Sequence, residues 1–394
     1  VKKFKLKAQA VKALELGKRL ISLKDLEAPE AIEQAPEGWV FGLADQSGQQ
    51  IGQAIVGRQN KGFAWLLDPD ILLEWSSDFV TVLFEEAVMK RENLLVSEDT
   101  TAFRLFNGEG DGCGGLTIDY YDHYAVINWY SRGAYQYRQW WIQVLEAWDH
   151  GIKGIYQVKR FELDDQESAL DPVLGQAADQ PLVIRENGVS YAVYLGQSWM
   201  TGIFLDQRSV RQFVKEQAQG LKVLNLFSYT GAFSVAAAVG QAEKTVSVDI
   251  ANRSLEWTRE NFCLNQLEAS NDTNEIRVMD VFDYIAYAKK HNLLYDFVIC
   301  DPPSFARSKK RHFSVDKDYF ALAQDLFEIT RPGGICLLST NNASLMLETF
   351  RQQMTLAGAN KKAQLIQQFE LPEDFPTSSD PESAYLKVLV FYVP

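Results

Sequence analysis

At 394 residues the chain is long enough for two or three domains, each with its own core, and 46% hydrophobic with 23% charged residues is a globular composition. No apolar run approaches the roughly 20 residues that span a bilayer, and the basic start Val1-Lys2-Lys3-Phe4-Lys5 has no apolar stretch behind it, so neither a membrane partner nor a secretory signal is expected. Four cysteines without C-x-x-C spacing and only four histidines speak against a disulfide scaffold or a metal centre and for a reduced, cytoplasmic protein, while a net charge of −13 confines any nucleic-acid contact to local basic strips.

One such strip opens the chain: residues 1–24 hold Lys2, Lys3, Lys5, Lys7, Lys12, Lys18, Arg19 and Lys24 against Glu15 alone. Helix formers run from Ala10 to Ile21. Trp39–Ala44 and Ile51–Val56 are strand-like runs around Asp45-Gln46-Ser47-Gly48-Gln49, whose glycine and polar residues predict a hairpin turn. Residues 1–75 thus read as a small β-rich module. The order of helix, glycine-containing hairpin and strands resembles a PUA domain, a pseudo-barrel found on RNA-modifying enzymes; a generic small barrel would present the same residues.

Asp78–Asn93 reads as a connecting helix. Strands follow at Tyr124–Tyr130 and Gly154–Val158, with an aromatic helix around Tyr135–Trp148 between them. Leu182–Arg185 and Val189–Tyr194 flank Glu186-Asn187-Gly188, and Asn-Gly is a strong hairpin signal. Residues 76–200 form a second, α+β domain. Its aromatics (Tyr130, Tyr135, Tyr137, Trp140, Trp141) serve a core or stack on bases.

From residue 201 onward strands and helices alternate. Val223–Phe227 is a strand, Ser228-Tyr229-Thr230-Gly231 a small-residue turn, Ala232–Val239 a helix, and Thr245–Val248 a strand ending in Asp249. Helices at Ser254–Gln266, Val281–Lys290, Tyr319–Thr330 and about Leu345–Leu356 alternate with strands at Ile276–Met279, Phe297–Cys300 and Ile335–Ser339. That rhythm predicts a parallel, doubly wound sheet. Leu365–Glu370 and Tyr385–Tyr392, joined by a Pro-containing turn, would make the last strand antiparallel.

Asp249, Asp280 and Asp301 are each expected at the C-terminal end of a strand, the edge where open α/β sheets bind ligands. A packed sheet has no structural need for acids there. Asp249 would take a ribose diol, with Ile250 beside it. Asp280 and Val281 would flank an adenine, and the turn Phe227–Gly231 would present backbone N–H groups. Asp301-Pro302-Pro303-Ser304-Phe305 would close over the reacting group, its prolines turning carbonyl oxygens inward. A nicotinamide dehydrogenase fits poorly, because the turn holds one glycine and is not G-x-G-x-x-G.

The D-P-P tripeptide after an apolar strand, with the 223–249 unit upstream, resembles class I S-adenosylmethionine-dependent methyltransferases. Thr201-Gly202-Ile203-Phe204-Leu205-Asp206-Gln207-Arg208, Leu226-Phe227-Ser228-Tyr229-Thr230-Gly231 and D-P-P-S-F together resemble the bacterial large-subunit ribosomal RNA methyltransferases. The resemblance implies a PUA-like β-barrel (1–75), a small α+β domain (76–200) and a Rossmann-like seven-stranded catalytic domain (201–394). It implies a cofactor, S-adenosylmethionine, held by Phe227, Ser228, Tyr229, Thr230, Gly231, Asp249, Asp280 and Asp301, with Arg208 or Gln207 near its methionine end. Asp301, Pro302, Pro303 and Phe305 would handle the base. Lys2, Lys3, Lys5, Arg307, Lys309, Lys310 and Arg311 would grip ribosomal RNA phosphates. The resemblance says nothing of oligomeric state; a homodimer is among the options.

The sequence departs from the family in one place. Members that methylate cytosine C5 carry a cysteine just past the strand after the D-P-P helix, because that carbon needs a covalent adduct at C6. Here Leu338-Ser339-Thr340-Asn341-Asn342-Ala343-Ser344 has none, and Cys336 and Cys300 fall within apolar strands. Guanine N7, which already bears a lone pair, then fits better than the family's default cytosine. DNA or an exocyclic amine of the N6-adenine type, and a non-catalytic RNA-binding scaffold that keeps the cofactor pocket, are the alternatives.

Overall fold

In the computed structural model, which describes residues 2–59, 62–270, 272–307 and 312–394, the chain divides into two compact units. One comprises Val1–Ile184, Val193–Thr201 and Glu373–Ser383, the other Arg185–Ala192, Gly202–Pro372 and Ala384–Pro394.

The first unit holds two five-stranded sheets. In the N-terminal one, Lys3–Lys5 pairs parallel with Val40–Ala44, which continues antiparallel through Gln50–Gln59 and Gly62–Leu66 to Leu20–Ile21. The Asp45 turn forms as expected, its carboxylate accepting the Gln49 N–H at 2.8 Å. The N-terminal helix differs from expectation. It spans Ala8–Glu15, because Gly17 at φ +98° turns the chain out, and Leu20–Ile21 becomes an edge strand.

The second sheet has Ala102–Asn107, Leu116–Tyr121, Tyr124–Trp129, Gly154–Lys159 and Leu174–Gly175 in sequence order. Helix Ser77–Lys90 lies against it, capped by Ser76 Oγ on the Phe79 N–H, and Arg138–Ala147 packs beside that helix. Trp141 is wholly buried and Tyr135, Tyr137 and Trp140 pack against the same core, so the aromatic helix serves packing.

In the second unit, helix α1 (Arg208–Gln217) leads to strand β1 (Lys222–Leu226), then α2 (Ala232–Val239), β2 (Lys244–Asp249), α3 (Asn252–Leu264), β3 (Asn274–Val278), α4 (Val281–Lys290) and β4 (Tyr295–Cys300). A short hairpin, Phe305–Arg307 with His312–Ser314, precedes α5 (Val315–Ile329), β5 (Thr330–Thr340), α6 (Leu347–Ala357), β6 (Gln364–Phe369) and β7 (Lys387–Val393). The seven strands lie in the order β3-β2-β1-β4-β5-β7-β6, parallel except for β7. The antiparallel last strand is the one expected from the sequence.

Period-2 alternation buries both faces. Leu224, Leu226, Val298, Cys300, Cys336 and Leu338 serve one core; Val223, Phe297, Ile299 and Leu337 serve the other. Strands covered on both sides read as continuous apolar runs, which is why they were legible. Arg331-Pro332-Gly333-Gly334 does not separate α5 from its strand. It lies inside β5 as an irregular stretch, the register to β4 jumping between Tyr295–Thr330 and Phe297–Ile335.

Candidate active site

The strand order reverses between β1 and β4, and α/β sheets take ligands above the C-terminal strand ends at such a switch point. The turn leaving β1 is built for close approach. Phe227, Tyr229 and Gly231 have φ of +57°, +51° and +72°, unusual values for the first two, so the chain doubles back over the sheet edge. A Cβ on Gly231 would meet Thr258 Cγ2 at 2.4 Å, so only glycine lets α2 start there. Thr230 Oγ1 donates to the Gly202 carbonyl at 2.7 Å, and Asn261 Nδ2 donates to the Thr230 carbonyl at 2.9 Å, fixing the turn from both sides.

Asp249 ends β2. Its Oδ2 accepts the Tyr229 N–H and its Oδ1 the Ala251 N–H, each at 2.9 Å. A carboxylate offers about four acceptor positions, so two remain for a vicinal diol. Ile250 is exposed beside it. Asp280 is not a strand-end residue as expected. Strand β3 stops at Val278, and Asp280 caps α4, accepting the Phe282 N–H at 2.9 Å, with Val281 buried behind it. Ser, Thr, Asp and Asn are the favoured residues at that position, so the sequence signal for a tip acid was equally a helix-start signal.

Asp301 follows β4 directly and is half-buried. The removal of water pushes its carboxyl up to about 6, with the Asp206 charge adding to the effect, while Ser339, Gln207 and Arg211 pull the other way. Ser339, from the end of β5, and Gln207, from the turn before α1, both hydrogen-bond this carboxylate, and Gln207 Nε2 also donates to Ser339 Oγ at 2.9 Å. Pro302 is buried, Pro303 exposed, and Phe305 exposed with no cover. Ser304 Oγ donates to Asn341 Oδ1 at 3.0 Å, so D-P-P-S-F and the run after β5 meet.

Arg208 is buried at the first position of α1. One turn on, Arg211 forks onto Glu186 at 2.6 and 2.7 Å, both side chains almost wholly buried, and its Nη2 also holds the Phe204 carbonyl at 2.7 Å. Sequence reasoning places Gln207 near the methionine end and Asp301 at the base, but it misses Ser339 and the Glu186–Arg211 pair; buried polar residues at the start of an amphipathic helix, Gln207, Arg208 and Arg211, are the available signal.

Cys300 and Cys336 are buried in β4 and β5. Burial raises the Cys300 thiol well above its ordinary value and pushes that of Cys336 up to about 12. Cys113 is buried in the first unit, and Cys263 is exposed in the last turn of α3, at the far end of that helix from Asp249. Among the expected RNA contacts, Lys2, Lys3 and Lys5 are exposed on the first unit, Lys2 over the Phe4 ring and Lys5 donating to the Gln46 carbonyl. Arg307 lies in the backbone of the hairpin strand, and Lys309, Lys310 and Arg311 lie outside the described residues.

This strand order, with a fixed acid ending β2 and D-P-P ending β4, defines a class: residues 146–392 match the model of S-adenosylmethionine-dependent methyltransferases and residues 4–69 that of a PUA-like domain. The chain belongs to the S-adenosylmethionine-dependent methyltransferase family, and S-adenosylmethionine is its cofactor. Among its relatives is YwbD of Bacillus subtilis (strain 168), named provisionally as a ribosomal RNA large subunit methyltransferase, 46% identical over 88% of this chain and 89% of that one. Ribosomal RNA large subunit methyltransferase I of Aeromonas salmonicida (strain A449) is 32% identical over 84% of each. The crystal structure of SMU.776, provisionally named a methyltransferase and complexed with S-adenosylhomocysteine, superposes with a TM-score of 0.91 at 38% identity over the whole of both chains. The expected seven-stranded catalytic fold and PUA-like N-terminus are thus borne out.

Proposed function

We propose that this protein methylates a base of large-subunit ribosomal RNA, and that the acceptor is guanine N7. The relatives' names support the RNA class. The observation that carries the choice of atom is the state of the thiols: both cysteines of the catalytic sheet are buried, which raises their thiols above the ordinary value, and Cys263 lies in the last turn of α3, at the far end of that helix from Asp249. Attack on cytosine C6 requires a thiolate. Guanine N7 requires only alignment and a dry site.

The residues present fit the cofactor. Asp249 retains acceptor capacity for a ribose diol, and Phe227, Ser228, Tyr229, Thr230 and Gly231 form the turn that its methionine part would follow. Ile250, Asp280 and Val281 would border the adenine, and Arg208 the carboxylate end. When bound, the cofactor supplies an electrophilic methyl on a sulfonium. Asp301, steadied by Ser339 and Gln207, and the stiff Pro302-Pro303 turn would orient the base, with Phe305 closing over it. Lys2, Lys3, Lys5, Arg307, Lys309, Lys310 and Arg311 would hold phosphates. D-P-P followed by an aromatic residue supports a second reading, an exocyclic amine as acceptor.

Mass spectrometry of nucleosides from deproteinised large-subunit ribosomal RNA, treated with the enzyme and isotope-labelled S-adenosylmethionine, tests this. Labelled 7-methylguanosine is expected. Labelled 5-methylcytidine would return the reaction to cytosine, N6-methyladenosine would favour the second reading, and an unlabelled RNA pool despite cofactor binding would leave a scaffold.

A further inference from the structure

The segment Ile203–Leu205 alternates sharply: Ile203 and Leu205 are buried, whereas Phe204 is 44% exposed. An exposed phenyl ring is ordinarily unremarkable, but this one is held in place. The Phe204 carbonyl is bound by Arg211, whose guanidinium is locked onto the buried Glu186 carboxylate. Beyond Phe204 the rings continue in a row. Tyr229 lies 5.5 Å from it, centroid to centroid, Trp257 lies 6.1 Å from Tyr229, and the Arg253 guanidinium sits 5.3 Å from the Trp257 ring. Arg253 and Trp257 are one turn apart on α3, and Arg253 forms no ion pair among the described residues. The row is therefore graded, with an open ring at one end, half-buried rings in the middle and an exposed cation at the other. Tyr229 is also the residue whose N–H holds Asp249.

Resting on the reading above, we infer that this row is a platform for a single-stranded stretch of the RNA, with a nucleobase flanking the target stacked on Phe204 and a phosphate on Arg253. Every base has a π face, so a ring presented this way gains stacking without demanding a sequence, and an unpaired guanidinium beside rings suits a phosphate. A base inside a duplex presents no free face, so the platform selects unpaired substrate. Phe204 acts here as a substrate-binding residue in its own right.

Phe204→Ala, Phe204→Trp and Arg253→Gln test it, with binding of a fluorescein-labelled oligocytidylate read by anisotropy and of S-adenosylhomocysteine by calorimetry. Loss of one stack lowers oligonucleotide affinity roughly tenfold in Phe204→Ala, with Phe204→Trp near wild type. Arg253→Gln lowers the salt slope by about one phosphate contact. S-adenosylhomocysteine affinity and thermal unfolding stay as in wild type, and on deproteinised ribosomal RNA the loss appears in KM rather than kcat. Unchanged oligonucleotide binding in Phe204→Ala, or Phe204→Trp as weak as Phe204→Ala, overturns the platform. Loss of S-adenosylhomocysteine affinity in Phe204→Ala also overturns it, assigning the ring to the cofactor pocket. Failure of the proposed function has a separate signature, the absence of methylated RNA with the wild-type enzyme.

Discussion

The guanidinium of Arg91 and the carboxylate of Asp111 face one another as a fork, with contacts of 2.7 and 2.9 Å, and solvent reaches neither side chain. Arg91 also holds the Asp374 carbonyl at 2.7 Å, and Lys90 approaches the same Asp111 at 3.0 Å. Removing one member strands the other charge in a dry site, which costs about 3–5 kcal/mol. Asp111→Ala is expected to lower stability in urea by that order, whereas Arg91→Met with Asp111→Leu loses less than either single change. A double variant less stable than both singles would contradict this.

The Asp249 carboxylate organises the turn through Tyr229 and Ala251. Asp249→Ala leaves those N–H groups and the ligand diol without acceptors. S-adenosylhomocysteine affinity should fall at least a hundredfold, the order of two lost hydrogen bonds to a charged group, each about 1.5–3 kcal/mol. Calorimetry decides it, and wild-type affinity would remove Asp249 from the site.

Asp301 gives a pH signature. Its carboxyl is pushed to about 6 in the folded protein by desolvation, against 3.8 ordinarily. The folded state therefore binds the proton more tightly than the unfolded chain, so stability falls as pH rises from about 4 to 6 and the full penalty persists above that. At 1.36 kcal/mol per pH unit the penalty is about 3 kcal/mol. Asp301→Asn should stabilise the protein free of cofactor at pH 7.5, lose that advantage near pH 4, and methylate poorly. Equal stabilisation at both pH values would show that the charge is not its source.

Gly231 offers a test of geometry. Alanine there meets Thr258 Cγ2 and adopts an unfavourable φ. Gly231→Ala should lose about 1–3 kcal/mol of stability together with cofactor affinity. Adding Thr258→Ser, which deletes the clashing methyl, should restore part of both. No recovery would locate the damage in backbone strain alone.

The buried thiols bear on mechanism. Cys300→Ala and Cys336→Ala each remove one small buried group, so methyl transfer should persist with a stability loss of about 1–2 kcal/mol. Abolished transfer in a folded variant would restore a covalent route.

The repeating catalytic unit is readable because β1, β2, β4 and the second half of β5 are buried on both faces, and Ala232–Val239 and Val281–Lys290 coincide with their helices. Asp249 and Asp301 were readable as polar residues ending such runs. Other features were not. Helix α5 begins at Val315 rather than Tyr319, because Asp316, Lys317 and Asp318 supply the solvated first turn and give no apolar period. The Asn225–Ser234–Ser247 hydrogen bonds, which tie β1 and β2 to α2, and the Glu186–Arg211 pair depend on partners that sequence distance hides. An aspartate at position 280 suits a strand tip and a helix cap equally, and the structure uses it as the cap.

The stretch between β6 and β7 reads in sequence as a Pro-containing turn, yet Glu373–Ser383 is part of the first unit. There Asp374 accepts the Arg104 N–H, Arg104 stacks over buried Phe375, Asn107 donates to the Pro376 carbonyl, and Gly110 has no room for even a methyl beside it. The polypeptide accordingly passes from one unit to the other five times. Dissection at residue 201 would therefore yield no interchangeable cassettes: a fragment comprising residues 1–201 would lack its own Phe375 plug and Asp374 anchor, and swapping the first unit between relatives demands transplanting the eleven residues 373–383 as well.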